Sequence, residues 1–125
     1  MLLLLFFITP LSSLAAPDYE REKRLEDQII DMIFDGEPIH LDTGTRQFLA
    51  VHMQTEQKQK KGAVIILHGR GYHADWQDVV HPLRVGLVEK GWDTLSLQMP
   101  VLNKQAKYYD YVPLLPDAHP RIEAG

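Results

Sequence analysis

The spacing of hydrophobic residues predicts a helix followed by a hairpin in the first half of the chain. Residues 18–34 carry apolar side chains at helical spacing among charged ones, and Asp35-Gly36 supplies a helix stop. We expect the charges to lie on a solvated face. Two short segments of alternating polarity follow, at 38–41 and 46–53, joined by a Gly-containing stretch of hairpin length. The apolar stripe of the helix consists of Leu25, Ile29, Met32 and Ile33.

A second pattern, in residues 62–100, predicts a strand, a helix and another strand. The uninterrupted aliphatic run Ala63–Leu67 is typical of a strand buried on both faces inside a parallel sheet. The helix should have Pro82 in its first turn and Gly91 just past its end. Residues 92–99 form the next strand, so the unit is a βαβ crossover. The buried stripe of this helix is expected to consist of Leu83 and Leu87.

The end of the chain carries little periodic pattern. Residues 101–118 are predicted to be a loop, and a new helix is predicted from Pro120. Because a sheet cut after its fourth strand leaves an unpaired hydrophobic edge, we expect exposed apolar residues on the last strand and poor solubility. Aromatic candidates for lining a pocket are Tyr72, Tyr108, Tyr109 and Tyr111.

The N-terminus has the features of an export signal. The run Met1–Ile8 is apolar throughout, too short to span a bilayer, and followed by small residues. Residues 1–16 are therefore predicted to be a signal peptide, cleaved after Ala15 or Ala16. This implies a periplasmic or secreted protein with no stable membrane anchor after cleavage. The rest divides into an N-terminal helix, residues 17–36, and an α/β domain, residues 37–125.

Composition narrows the choice of function. The chain has 125 residues, of which 45% are hydrophobic and 24% charged, which is ordinary for a globular protein. The net charge of −4 is spread along the sequence, so no nucleic-acid partner is expected. The absence of cysteine excludes disulfides, zinc thiolate sites and a cysteine nucleophile. Single α/β domains commonly reach about 200–250 residues, so the domain is expected to be incomplete.

The order of elements, with His68-Gly69 at the end of an aliphatic strand, resembles the opening third of the α/β-hydrolase fold over residues 38–125. The resemblance implies that the loop after this strand builds half of an oxyanion hole, with the Arg70 N–H as donor. Gly69 and Gly71 would give the backbone its freedom, and His68 would be a structural residue. The longer pattern through Pro100 is also similar to exported bacterial α/β-hydrolase-like proteins of uncharacterised function.

The residues needed for catalysis are missing from the sequence. The superfamily's nucleophile sits on a Gly-x-Ser-x-Gly elbow, which this chain lacks. Its serines are Ser12 and Ser13, in the predicted signal, and Ser96, inside a predicted strand. We therefore expect no catalytic residue in this chain and no ester hydrolysis by it alone. The parent protein would be an esterase-type hydrolase acting on a small-molecule ester or related carbonyl substrate, without a cofactor.

Three alternatives compete with this interpretation. The chain could be a non-catalytic exported protein that binds a ligand or partner. Residues 69–74 formally fit the Gly-x-Gly-x-x-Ala dinucleotide fingerprint, but Pro82 places the helix too late and Asp93 stands at the wrong end of the next strand. A metal site is not expected, because the spacing of the nearby candidates matches no recurrent metal motif; these are His68, His73, Asp75 and His81.

Overall fold

The computed structural model describes residues 16–125, so nearly all of the predicted signal peptide lies outside the described residues. No helix within this described part is both long and apolar enough to cross a membrane. The elements in chain order are α1 Tyr19–Met32, β1 Glu37–Asp42, β2 Gln47–Met53, β3 Gly62–Leu67, α2 Val80–Glu89, β4 Trp92–Leu97, a 3-10 helix Tyr108–Leu114, and α3 Leu115–Ala124.

The described strands form one four-stranded sheet in the order β1-β2-β4-β3. β1 pairs with β2 and β2 pairs with β4 in antiparallel fashion, whereas β3 and β4 are parallel. This confirms both the predicted hairpin and the predicted βαβ unit. The expectation of an exposed last strand is wrong, because β4 lies between β2 and β3. The edge strands of the sheet are β1 and β3, and β3 is the open edge on the parallel side.

The burial of β3 also differs from the prediction. Only Ile66 is buried, at 5% exposure, whereas Ile65 and Leu67 are 44% and 45% exposed. A strand that pairs through one edge, with only one face covered, leaves alternate side chains in solvent. The aliphatic run therefore forms the predicted strand, but not one buried on both faces.

The core divides between the two faces of β2, because successive side chains of a strand point to opposite sides. On one face, Leu49 and Val51 pack with Ile29 of α1 and with Ala74 from the loop after β3. On the other face lies a second cluster, to which the C-terminal part of the chain contributes; its buried members are Phe48, Ala50, Leu97 and Met99.

Helix α1 is anchored to the rest of the domain by charge as well as by apolar contact. The Asp18 carboxylate caps it by accepting from the Arg21 N–H at 2.9 Å. Glu22 is buried and accepts from both terminal nitrogens of Arg121 at 2.7 and 3.1 Å, across 99 positions of sequence. The expectation of a fully solvated charged face is wrong at Glu22. The predicted stripe is wrong at Met32, which is 73% exposed.

Helix α2 packs through a different face from the predicted one. Its buried residues are Val80, Arg84 and Val88, spaced four apart, whereas Leu83 is 46% exposed. Arg84 can be fully buried because its guanidinium pairs with the Asp75 carboxylate at 2.6 Å. Gly91 follows the C-cap and has a φ of +94°. A helix often ends with a positive φ at this position, which favours glycine.

The C-terminal segment is more helical than predicted. The residues expected to form a loop include the 3-10 helix and the first turn of α3, which begins at Leu115. The predicted start at Pro120 is wrong, since this residue lies inside α3. Proline at the second helical position, here Pro116, costs no hydrogen bond because the first turn leaves its N–H groups unpaired within the helix.

Candidate functional site

A tight turn follows β3 where the parallel strands β3 and β4 end side by side. The Tyr72 N–H donates to the Gly69 carbonyl at 3.2 Å, which closes a four-residue turn with Arg70 and Gly71 at its centre. The φ of +75° at Gly71 matches the third position of a type II turn, where a side chain is strained. A Cβ on Gly69 would lie 3.2 Å from the Tyr72 ring. Gly71 therefore supplies the positive φ that the turn requires, and Gly69 leaves room for the Tyr72 ring.

The turn leaves a backbone donor free. None of the hydrogen bonds formed among residues 16–125 uses the N–H of Arg70. The guanidinium of the same residue is directed elsewhere, with Nη1 3.4 Å from the Ala106 carbonyl oxygen. An oxyanion hole requires preorganised N–H donors without a competing partner. The structure therefore places the predicted donor in a turn that leaves its N–H available.

His68 connects the ends of the two parallel strands. Its Nε2 accepts from the Met99 N–H at 2.9 Å, so Nδ1 carries the proton and donates to the Gly69 carbonyl at 2.8 Å. Burial lowers the pKa of His68 to about 4, so the ring is neutral at physiological pH. Both ring nitrogens are occupied by backbone groups, which leaves neither free to act as a general base.

Two buried polar residues, Ser96 in β4 and Gln98 just beyond it, form hydrogen bonds with the loop that follows β3. The Ser96 hydroxyl donates to the Ala74 carbonyl at 2.6 Å, and the Gln98 side-chain oxygen accepts from the Ala74 N–H at 3.1 Å. Both side chains are fully buried. Sequence reasoning did not find this pair, although polar residues two apart in an apolar strand were its visible signal. Ser96 is committed to the loop and is not an accessible nucleophile.

The turn forms one wall of a cleft of about 190 Å³ at the carboxyl ends of β3 and β4. Ligands of open α/β sheets bind in this position. The rest of the lining is mostly apolar and comes from the segment after β4 and from the C-terminal helices. The lining residues are His68, Gly69, Arg70, Met99, Pro100, Tyr111, Leu114, Leu115 and Ala118.

Only one of the predicted pocket tyrosines lines this cleft, namely Tyr111. Tyr108 and Tyr109 are 66% and 80% exposed and contact each other edge to face, with ring centroids 5.4 Å apart. Tyr72 stacks on Trp76 with a centroid separation of 4.3 Å. A cluster of tyrosines in sequence therefore does not form a cluster around one pocket.

A second cavity, of about 420 Å³, lies between the end of α1 and the start of α2. Asp75 and His81 line it, with Nδ1 of the imidazole 3.0 Å from the carboxylate. His73 lines the same cavity, whereas His68 lies in the other cleft. Residues 16–125 contain no group of three or more His, Cys, Asp or Glu side chains arranged to hold a metal. A dinucleotide site requires a helix N-terminus directly after the glycine turn. Here α2 begins only at Val80, so the turn is not followed directly by a helix.

Sheet order, the crossover and the glycine turn after the third strand define an α/β-hydrolase-like fold. A solved structure with this fold, an alpha-beta serine hydrolase homologue from Coxiella burnetii, is 20% identical with a TM-score of 0.51. The match covers 74% of this chain and 46% of that protein, so this chain spans less than half of its length. At this identity the likeness shows the fold.

The family is established by a separate match. Residues 6–115 match the family described as "Protein of unknown function (DUF3530)", and the chain belongs to this family. No curated protein matches the chain.

Proposed function

We propose that the chain forms the first half of a hydrolase-like catalytic domain, and that the turn after β3 supplies one donor of its oxyanion hole. The observation that carries the proposal is the free Arg70 N–H in a turn that borders an apolar cleft at the carboxyl end of the parallel strands. The reaction would be acyl transfer to water on an ester or related carbonyl compound. The cleft would receive the apolar part of the substrate.

The backbone donor has a defined role in this reaction. Attack on a carbonyl carbon moves negative charge onto the carbonyl oxygen, and a fixed N–H stabilises that charge in the transition state. The nucleophile and the base would be supplied by residues beyond Gly125. Two observations support this: the described serine and the histidine at the site are engaged in structural hydrogen bonds, and β3 has an open edge to which further strands can add.

The position of Arg70 permits an unusually clean test. Proline is favoured at the second position of a type II turn but has no N–H, so Arg70→Pro should keep the turn and remove the donor. Arg70→Ala removes the guanidinium and keeps the donor, which makes it the matched control. In the longer protein that this proposal implies, we expect kcat for p-nitrophenyl butyrate to fall by about 100-fold or more in Arg70→Pro and to change little in Arg70→Ala.

The same assay separates the proposal from its competitor. The 125-residue chain should show no turnover, and turnover by it would contradict a nucleophile beyond Gly125. Equal kcat values for the two Arg70 variants would contradict the oxyanion role. A longer protein that binds the ester without turning it over would favour the non-catalytic binding function.

We also propose that the protein is exported, on the basis of the apolar run Met1–Ile8 and the small residues after it. Mass spectrometry of the protein purified from its host should find an N-terminus at Ala16 or Pro17. A Leu4→Arg substitution, which interrupts the run, should leave the N-terminus uncleaved. An intact Met1 in the unmodified protein would contradict export by this route.

A further inference from the structure

We propose that Arg21 of α1 is a positioning residue for the turn formed by residues 69–72. Its Nη2 donates to the Gly71 carbonyl at 2.9 Å, and its Nη1 donates to the Leu102 carbonyl. One guanidinium therefore joins the segments that follow β3 and β4. The meaning of this contact for catalysis rests on the proposed function, whereas its effect on the turn does not.

The contact acts on the peptide unit that closes the turn. The carbonyl of the Gly71–Tyr72 peptide accepts from Arg21, and the N–H of the same peptide donates to the Gly69 carbonyl. Both polar ends of this peptide plane are thus fixed. Without the guanidinium, the turn is closed by a single bond of 3.2 Å, and the direction of the Arg70 N–H is less well defined.

The start of α1 is itself held in place, so Arg21 is delivered to the turn by a fixed backbone. The Asp18 N–H donates to the Val101 carbonyl at 2.7 Å, and the Asp18 side chain caps the helix. The neighbouring Glu22 forms the buried pair with Arg121. Leu102, whose carbonyl accepts from Arg21, is also fixed through its N–H, which donates to the Tyr111 hydroxyl.

Amide hydrogen exchange of the chain tests the inference without an enzyme assay. In Arg21→Met, which keeps much of the aliphatic stem, we expect exchange at the Tyr72 amide to accelerate by about tenfold or more. Amides of β2 should keep their wild-type rates. The matched control is Arg24→Met, on the exposed surface of the same helix, which should leave Tyr72 unchanged. Arg21→Lys retains the charge but lacks the two-armed donor, and should give an intermediate rate.

The kinetic readout applies to the longer protein. If it turns over p-nitrophenyl butyrate, Arg21→Met should lower kcat by about tenfold with KM unchanged, since only transition-state stabilisation is lost. A change in KM alone would contradict the positioning role. Absence of turnover in the unmodified protein would refute the proposed function, and the exchange rates would still decide the inference.

Two exchange results would overturn it. One is a wild-type rate at Tyr72 in Arg21→Met. The other is uniform acceleration through α1 and β2, which shows general loosening. If Arg21→Met does not fold, Arg21→Lys decides on the same criterion.

Discussion

Two strands of this protein each carry a run of four or more hydrophobic residues but have opposite surroundings. Residues 48–51 of β2 are all buried, with exposures of 0–1%, whereas Ile65 and Leu67 of β3 are 44% and 45% exposed. β2 has a paired strand on each side and packed clusters on both faces. β3 has one paired neighbour. The difference in exposure arises from the position of each strand in the sheet. A hydrophobic run therefore predicts a strand, but it does not predict whether that strand is buried.

The largest effect should come from breaking the buried ion pair that joins α1 to α3. Glu22→Gln leaves the Arg121 guanidinium buried without its carboxylate, and we expect a loss of about 3–5 kcal/mol in the free energy of unfolding. Urea denaturation measures this loss. Glu20→Gln, at an exposed position of the same helix, should change stability by no more than about 0.5 kcal/mol. Equal values for the two variants would contradict the role of the pair.

The same truncation on the two strands sharpens the comparison. Leu49→Ala should cost about 2–5 kcal/mol, because it leaves a cavity in a packed cluster. Leu67→Ala should cost less than about 1 kcal/mol in this chain, because nearly half of its side chain is already in solvent. Thermal or urea unfolding of both variants provides the test. Similar losses would show that β3 is already covered.

The protein should lose stability in acid because of His68, which joins the ends of β3 and β4. The pKa of His68 is about 6.5 in the unfolded chain, whereas burial lowers it to about 4 in the folded chain. Between these values the unfolded state binds more protons, so stability falls as the pH falls, by on the order of 3 kcal/mol in total.

Unfolding measured at pH 7 and pH 4.5 tests this dependence. His68→Gln should remove most of the slope. Part should remain, because burial also lowers the pKa of His73. His119→Gln, in an exposed part of α3, should keep the wild-type slope. A slope unaffected by His68→Gln would contradict the assignment.

The smallest effect is expected from a charge on the open strand. Ile65→Lys should change the stability of this chain by no more than about 0.5 kcal/mol and should increase its solubility, because edge lysines oppose strand-to-strand association. In the proposed longer protein, the same change should be strongly destabilising. Sedimentation and denaturation of both forms measure this contrast, and equal tolerance in both would argue against coverage of β3.

Local pattern accounts for the part of the fold that was predicted correctly. The hairpin and the βαβ unit depend on periodicity and turn residues within a few positions. The order of the strands does not, since β4 enters between β2 and β3 through pairings that no local pattern specifies. The wrong prediction of the buried face of α2 has a similar origin. Arg84 is buried only because Asp75 neutralises it, and periodicity counts both residues as polar.

The candidate site divides in the same way. The glycine turn was visible from the sequence because the φ at Gly71 demands glycine. The contact between Arg21 and this turn joins residues 50 positions apart. Ser96 in β4 and Gln98 just beyond it bond to Ala74 in the loop after β3. Hydrogen bonds of this kind follow from tertiary packing, which residue type and spacing do not encode.

The central proposal is that the outer edge of β3, which is open in the described residues, pairs with further chain in the proposed longer protein. Amide hydrogen exchange of the β3 residues whose N–H groups do not bond to β4 tests this most directly. We predict fast exchange in the 125-residue chain and protection greater by about 100-fold or more in the longer protein, independent of protein concentration. Equal rates in both forms would contradict the account.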